Sequence, residues 1–183
     1  MQKKGFTLIE LLVVIGILAI LTAAVVVVLN PAELLRQSRD AQRMSDFDAL
    51  RGSINLFLST VSSPTFDSTG QYIDTGSTIG ANFSGGIFAA GALVANTSTV
   101  VTGAGWVPIN FGLMSSTVGS APLSALPADP INDGNYAYAG AFNGTSLQYE
   151  LDTRLESTKY ASKMTPTANA SLLLYQVGNN LSM

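Results

Sequence analysis

Gly5-Phe6-Thr7-Leu8-Ile9-Glu10 leads into nineteen uncharged residues, 11–29, built almost entirely from Leu, Val, Ile and Ala. A helix of that length spans roughly 28 Å, close to the ~30 Å hydrocarbon core of a bilayer. The run is too long for a cleaved secretory signal, and the residues after it, Asn30-Pro31-Ala32-Glu33, offer no small-x-small cleavage site. Glu10 is the odd residue. A carboxylate at the edge of a membrane span is costly and needs a partner, which a plain anchor does not supply.

Two lysines, Lys3 and Lys4, precede the span, and Arg36, Arg39 and Arg43 follow it. The lysines put the N-terminus in the cytoplasm. The arginines argue the other way on a plain count, but the acids interleaved with them leave that stretch near neutral.

Residues 5–15, Gly5-Phe6-Thr7-Leu8-Ile9-Glu10-Leu11-Leu12-Val13-Val14-Ile15, resemble the class III signal of bacterial type IV pilins and type II secretion pseudopilins. The resemblance covers about the first thirty residues. It implies that a prepilin peptidase of the membrane cuts after Gly5 and that the same enzyme methylates the new N-terminal residue, Phe6. It implies a role for Glu10 in subunit assembly. The chemistry agrees, because the freed amine of Phe6 and the Glu10 carboxylate of a neighbouring subunit would each offset the other's desolvation. The partners implied are copies of the chain or paralogous pilins, the peptidase, the inner-membrane assembly machinery, and lipid before assembly. The location implied is a single pass through the inner membrane, then an extracellular or periplasmic filament.

Working outward, Pro31 removes a hydrogen bond from a helix that continues from the span and kinks its axis. Residues 32–58 read as an amphipathic helix, with Ala41, Met44, Phe47, Leu50, Ile54 and Phe57 at three- and four-residue spacing. On its other surface Arg36 with Asp40, Arg43 with Asp46, and Asp48 with Arg51 are spaced to pair. If continuous, helix 6–58 would be about 80 Å long.

Residues 60–80, rich in Ser, Thr, Gly and Asp, read as an irregular connection. Residues 87–94 fit a strand or a helix. Residues 106–111 read as a short edge strand because of Pro108, and residues 115–125 as a loop. Further on, Leu147, Tyr149, Leu151, Thr153 and Leu155 alternate with Gln148, Glu150, Asp152, Arg154 and Glu156. That is a period-two strand with one apolar and one charged, solvated face. Asn143-Gly144 before it predicts a hairpin with a type I′ turn, and residues 172–177 a third strand. The sheet needs a cover, and the amphipathic helix supplies it.

The expected fold is therefore α+β. It is a pilin fold, with a long N-terminal helix, half transmembrane and half amphipathic, packed on a small antiparallel sheet. The expected divisions are a leader at 1–5, a transmembrane or filament-core helix at 6–30, its amphipathic continuation at 31–59, and a β-rich globular domain at 60–183.

Composition narrows the function. The 183 residues contain no Cys and no His, which removes thiolate chemistry, imidazole zinc sites and His-based triads. There is no phosphate-cradling Gly-rich loop and no nucleophile elbow. Glu150 and Asp152 share a strand face, but a solvated surface explains them, and no enzyme activity is expected. Loss of residues 1–5 would take the net charge from −3 to −5, so no nucleic-acid partner is expected. Asp129, Asn132 and Asp133 gather oxygen donors in a Gly- and Pro-bearing loop. Calcium ligation and plain turn-making both fit them, and no other cofactor is expected. Asn82, Asn96, Asn143, Asn169 and Asn180 each begin an Asn-x-Ser/Thr triplet.

A structural subunit of a type IV pilus is the leading reading. A type II secretion pseudopilin is the alternative, and a ligand- or DNA-binding minor pilin at a filament tip is the alternative of another class.

Overall fold

The computed structural model describes residues 5–76, 93–167, 172–181 and 183. Most of the leader, residues 87–92 of the ambiguous apolar stretch, and the triplets at Asn82 and Asn169 lie outside the described residues. The chain divides into two compact units, Met1–Arg36 and Gln37–Met183.

The first unit is built on α1 (Leu8–Leu29), a helix apolar on all sides. It ends at Asn30, whose backbone is left-handed at φ 40°. Helix α2 (Pro31–Thr60) starts at the next residue. Proline suits a first helical position, because its missing N–H has no intrahelical partner there anyway. The Asn30 carbonyl accepts from the N–H groups of Glu33 and Leu34, opening a fresh hydrogen-bond ladder. The expected kink at Pro31 is instead a full break one residue earlier, and 6–58 holds two helices.

In the second unit α2 buries Asp40, Arg43, Phe47, Leu50, Ile54 and Phe57. The spacing is the expected one, but its first turn differs. Ala41 is exposed and Met44 only half-buried, and two charged residues hold the inward positions instead.

The six-stranded sheet runs β2 (Val94–Ala95), β1 (Gly70–Ile73), β3 (Tyr138–Asn143), β4 (Gln148–Thr153), β6 (Leu173–Gly178), β5 (Thr165–Pro166). Strands β1 and β2 pair in parallel and all other neighbours antiparallel, so the sheet is mixed. A parallel pair needs a long crossover, and the connection from Ile73 to Val94 is long enough. Strand β1 also corrects the reading of 60–80 as wholly irregular. Residues 106–111 form no strand. Pro108 withholds a ladder donor, Thr102 and Asn110 make one isolated bridge, and a short 3-10 turn, Phe111–Met114, follows. Within 115–125, Ser115–Val118 makes a single helical turn.

The hairpin β3–β4 stands where the alternation put it, with Asn143 opposite Gln148. Its turn is not type I′. Four residues connect the strands, and the left-handed position is Leu147, at φ 55°. Asn143 acts through its side chain, accepting from the N–H groups of Thr145 and Ser146.

On one face, Tyr138, Phe142, Tyr149, Leu151 and Val177 meet Phe47, Leu50, Ile54 and Phe57, closed off by Trp106, Ile109, Phe111 and Met114. Phe47 and Tyr138 pack edge to face with centroids 5.0 Å apart. Each such side chain contributes roughly 1.5–3 kcal/mol by leaving water. The other face has a core of its own, made of Ile73, Ala137, Ala139, Ala141 and Leu174. That second core overturns the expectation of a solvated face. Glu150 and Asp152 are both 0% exposed.

Candidate functional site

Thr7 caps α1. Its hydroxyl accepts from the Glu10 N–H at 3.3 Å, while Glu10 Oε2 accepts from the Thr7 N–H at 2.9 Å and from the Thr7 hydroxyl at 2.7 Å. This reciprocal box satisfies donors that a helix N-terminus otherwise leaves open. It also places the negative carboxylate at the positive end of the helix dipole. Composition alone did not single out Thr7. The signal was the Thr-x-x-Glu spacing at a helix start.

Beyond the box, every described side chain of α1 is exposed in the single chain. Phe6 is 81% and Leu8 82% exposed. The one hydroxyl deep in the helix, on Thr22, donates back to the Leu18 carbonyl at 2.7 Å and so needs no outside partner. Leu8–Val26 is long and apolar enough to cross a membrane. A surface this apolar demands lipid or other helices around it.

Residues 1–26 match the family model described as the prokaryotic N-terminal methylation motif. The chain carries the class III signal of type IV pilins and pseudopilins. No curated protein and no solved structure matches it. The α+β architecture of a long N-terminal helical stretch and a sheet is consistent with a pilin fold. The signal points to a structural, pilin-type precursor, processed by a prepilin peptidase and anchored in a membrane through α1. Gly5, Phe6 and Glu10 of the signal lie at or just before the start of α1, with Glu10 in its first turn.

In the loop, Asp129 and Asp133 each hold partners of their own, and Asn132 Oδ1 is buried with no hydrogen-bond partner. Both Asp129 oxygens accept from Arg43, Nε at 2.6 Å and Nη2 at 2.9 Å. Asp129 Oδ1 also takes the N–H groups of Ile131 and Asn132. Asp133 caps the turn to Tyr136 through Oδ1. Asn132 is left-handed at φ 49° and its Nδ2 reaches the Asp74 carbonyl at 3.4 Å.

Arg43 instead organises a buried cluster. Besides Asp129 it donates to Asp40 at 3.0 Å and to Glu156, and Glu156 also receives Arg39. Asp40 in turn takes the N–H groups of Glu156 and Ser157. The expected pairings of Arg43 with Asp46 and Arg36 with Asp40 are replaced. Arg36 lies 3.8 Å from Glu33, and Asp46 accepts from the Tyr138 hydroxyl at 2.7 Å. Arg51 does sit near Asp48, at 3.7 Å. Burial works against the Arg43 charge, but the carboxylates of Asp129 and Glu156 outweigh it and raise its pKa. Burial pushes the Glu156 carboxyl up, yet Arg39 and Arg43 hold it below its ordinary value.

Elsewhere burial dominates. It pushes Asp74 up to about 6, against the N–H groups of Asp129 and Tyr138 that bond it. On the second sheet face it pushes Glu150 up to about 7, and Asp152 well above the usual carboxylate range.

Proposed function

We propose that this chain is a structural subunit of a type IV pilus. It is cut between Gly5 and Phe6, methylated at Phe6, and assembled into a filament by packing α1 against the same helix of neighbouring copies or paralogues. The observation that carries this reading is the N-terminal signal on a helix exposed on every side, with one carboxylate, Glu10, in its first turn. Such a helix is stable in lipid and stable among identical helices. An assembly machine can move it from the first to the second while keeping its apolar surface out of water.

Within the filament, the amine of Phe6 is the partner for Glu10. The capping box with Thr7 holds that carboxylate until the partner arrives. The protein's work in this reading is mechanical, with no reaction catalysed. Before assembly its N-terminus is cytoplasmic and its globular unit lies outside the inner membrane.

The test is the intact mass of the protein in sheared extracellular filaments and in washed membranes. A chain beginning at methylated Phe6 in the sheared fraction is the expected result. The same mature chain confined to membranes would assign it to a secretion pseudopilus or a rare minor subunit. A chain that keeps residues 1–5 in both fractions would overturn the processing itself.

A further inference from the structure

Two carboxyl groups stand where the sheet leaves little room for charge. Register places Glu150 between Ala141 and Gly178, and Asp152 between Ala139 and Gln176. Residues two apart on one strand share a face, so both acids point away from α2, toward the second core of Ile73, Ala137, Ala139, Ala141 and Leu174. Neither Asp152 oxygen is in a hydrogen bond. Glu150 accepts one bond at each oxygen, from Gln176 Nε2 at 2.8 Å and from the Met183 N–H at 3.1 Å. Gln176 also favours a charge on Asp152, but burial and the neighbouring Glu150 outweigh it.

Among the described residues no cation faces the pair. Strand β3 presents Ala139 and Ala141, β1 presents Gln71 opposite Ala141, and β6 presents Gln176 and Gly178. The salt bridges of the described residues all lie elsewhere. The cations that follow β4 stand over aromatic rings, Arg154 over Tyr136, and Lys159 and Lys163 over Tyr160. Residues 77–92 and 168–171 contain no Lys or Arg. The carboxylate of Met183, beyond the N–H that meets Glu150, is a further like charge. A buried carboxyl pair without a cation avoids a double charge by keeping a proton.

We propose that Glu150 and Asp152 form a proton-operated latch on the C-terminal edge of the sheet. While the pair keeps a proton, β6 stays paired with β4 and Met183 stays on Glu150. When the last proton leaves, both charges need water, and β6 parts from β4 to admit it. Strand β6 is the side that gives. Strand β3 pairs with β4 along all of Gln148–Thr153, whereas β6 pairs only along Glu150–Thr153 and has the two-residue β5 outside it. Both bonds to Glu150 come from β6 and the segment after it, so the latch lies on the part that moves. Burial raises both carboxyls, Glu150 to about 7. A raised value in the folded state sets the direction. The latch holds in acid and lets go as pH rises through and above neutrality. The proposal rests on the sheet alone and not on filament formation.

The test is hydrogen exchange of the full chain in detergent micelles at about pH 6 and about pH 9, each rate divided by the intrinsic rate at that pH. Protection at residues 173–178 should fall about tenfold or more at the higher pH, while α2 amides around Phe47 and Phe57 keep theirs. Asp152→Asn keeps the shape of the side chain without its charge and should hold the protection level. Glu150→Gln should do the same. Infrared spectra of the unaltered chain near neutral pH should show a protonated carboxyl band that Asp152→Asn weakens. Equal protection at 173–178 at both pH values would overturn the proposal, and so would a fall that survives both substitutions. An equal fall in α2 and β6 would overturn it too, since that is global unfolding. The unaltered chain alone decides the first and last of these, whether or not the variants fold. None of the readouts requires a filament, so failure here leaves the pilus reading standing, and failure of that reading leaves this one.

Discussion

Arg43 on α2 and Asp129 in the loop before β3 meet in a two-point ion pair, at 2.6 and 2.9 Å, with both side chains wholly shut off from solvent. The pair fastens the helix to the sheet's approach loop. Glu156, just past β4, joins from the other side.

Arg43→Met therefore leaves Asp40, Asp129 and Glu156 without their shared cation. It should destabilise the second unit by about 3–5 kcal/mol, the range for breaking a buried pair from one side. Arg43→Lys should recover little, since one ammonium cannot reproduce the planar fork. Arg39→Ala, which removes a partly exposed arm of the cluster, should change stability by less than about 1 kcal/mol. Urea unfolding of the three variants ranks them.

Tyr138→Phe removes the hydrogen bond to Asp46 and leaves the ring packed between Phe47 and Trp106. A loss of about 1.5 kcal/mol is expected for a bond to a charged acceptor. A loss above about 3 kcal/mol in the same unfolding assay would mean that the ring itself had shifted.

Gly178→Ala should be severe. A methyl there would lie 2.2 Å from the Tyr149 carbonyl oxygen and 2.9 Å from the Glu150 Cα, both backbone atoms that cannot swing aside. Strand β6 must move off β4, at about 3 kcal/mol. Hydrogen exchange at residues 173–178 should report the loosening before global unfolding does.

The pH dependence follows from carboxyls shifted in opposite directions, with Asp74 and Asp152 raised by burial like Glu150. Glu150 has a raised folded pKa, about 7 against an ordinary 4.5. Its contribution is full below pH 4.5 and is lost as pH rises through about 7. Glu156 has a lowered folded pKa. Its contribution is full above pH 4.5 and is lost as pH falls through its folded value. The unfolding temperature should thus decline on both sides of the weakly acidic range. Glu150→Gln should make the alkaline limb shallower without removing it, because Asp74 and Asp152 remain, and should leave the acid limb alone, as read by calorimetry across pH.

Glu10→Val keeps the span apolar and removes its only carboxylate. Membrane insertion should be unchanged and filament yield should fall by tenfold or more, about 1.4 kcal/mol or greater in the assembly step. Immunoblots of sheared and membrane fractions measure both. Normal filament yield would remove Glu10 from the assembly mechanism.

How far residues alone foretold this molecule depends on how far apart the interacting partners lie. Helix α1 was plain because an uncharged run needs no partner to be recognised. The 3–4 spacing from Phe47 to Phe57 was plain for the same reason. The inward turn of Asp40 and Arg43 was not, because the groups that permit it, Asp129 and Glu156, lie 86 and 113 residues beyond Arg43. Read locally, charges belong outside. The same limit hid the burial of Glu150 and Asp152. Their alternation with Tyr149 and Leu151 gave the strand and its two faces, but not what stands over the second. The core on that face is built partly from Ala137, Ala139 and Ala141, residues too small to announce one. At the hairpin, Asn143-Gly144 marked the place correctly and the mechanism wrongly, since an Asn side chain can cap a four-residue turn as well as form a two-residue one.

The break at Asn30 is a seam in the chain's cooperativity. Helices lengthen and fray residue by residue along a shared hydrogen-bond ladder, and here no ladder is shared. Melting or extraction of α1 does not propagate into α2 through the backbone. The seam also divides two kinds of obligation. The matched signal stops at residue 26, just short of it. Upstream, the side chains form an exposed apolar surface that needs a cover from outside the chain's own core. From Gln37 on, the sequence builds a compact unit with a core of its own, which the matched signal does not reach.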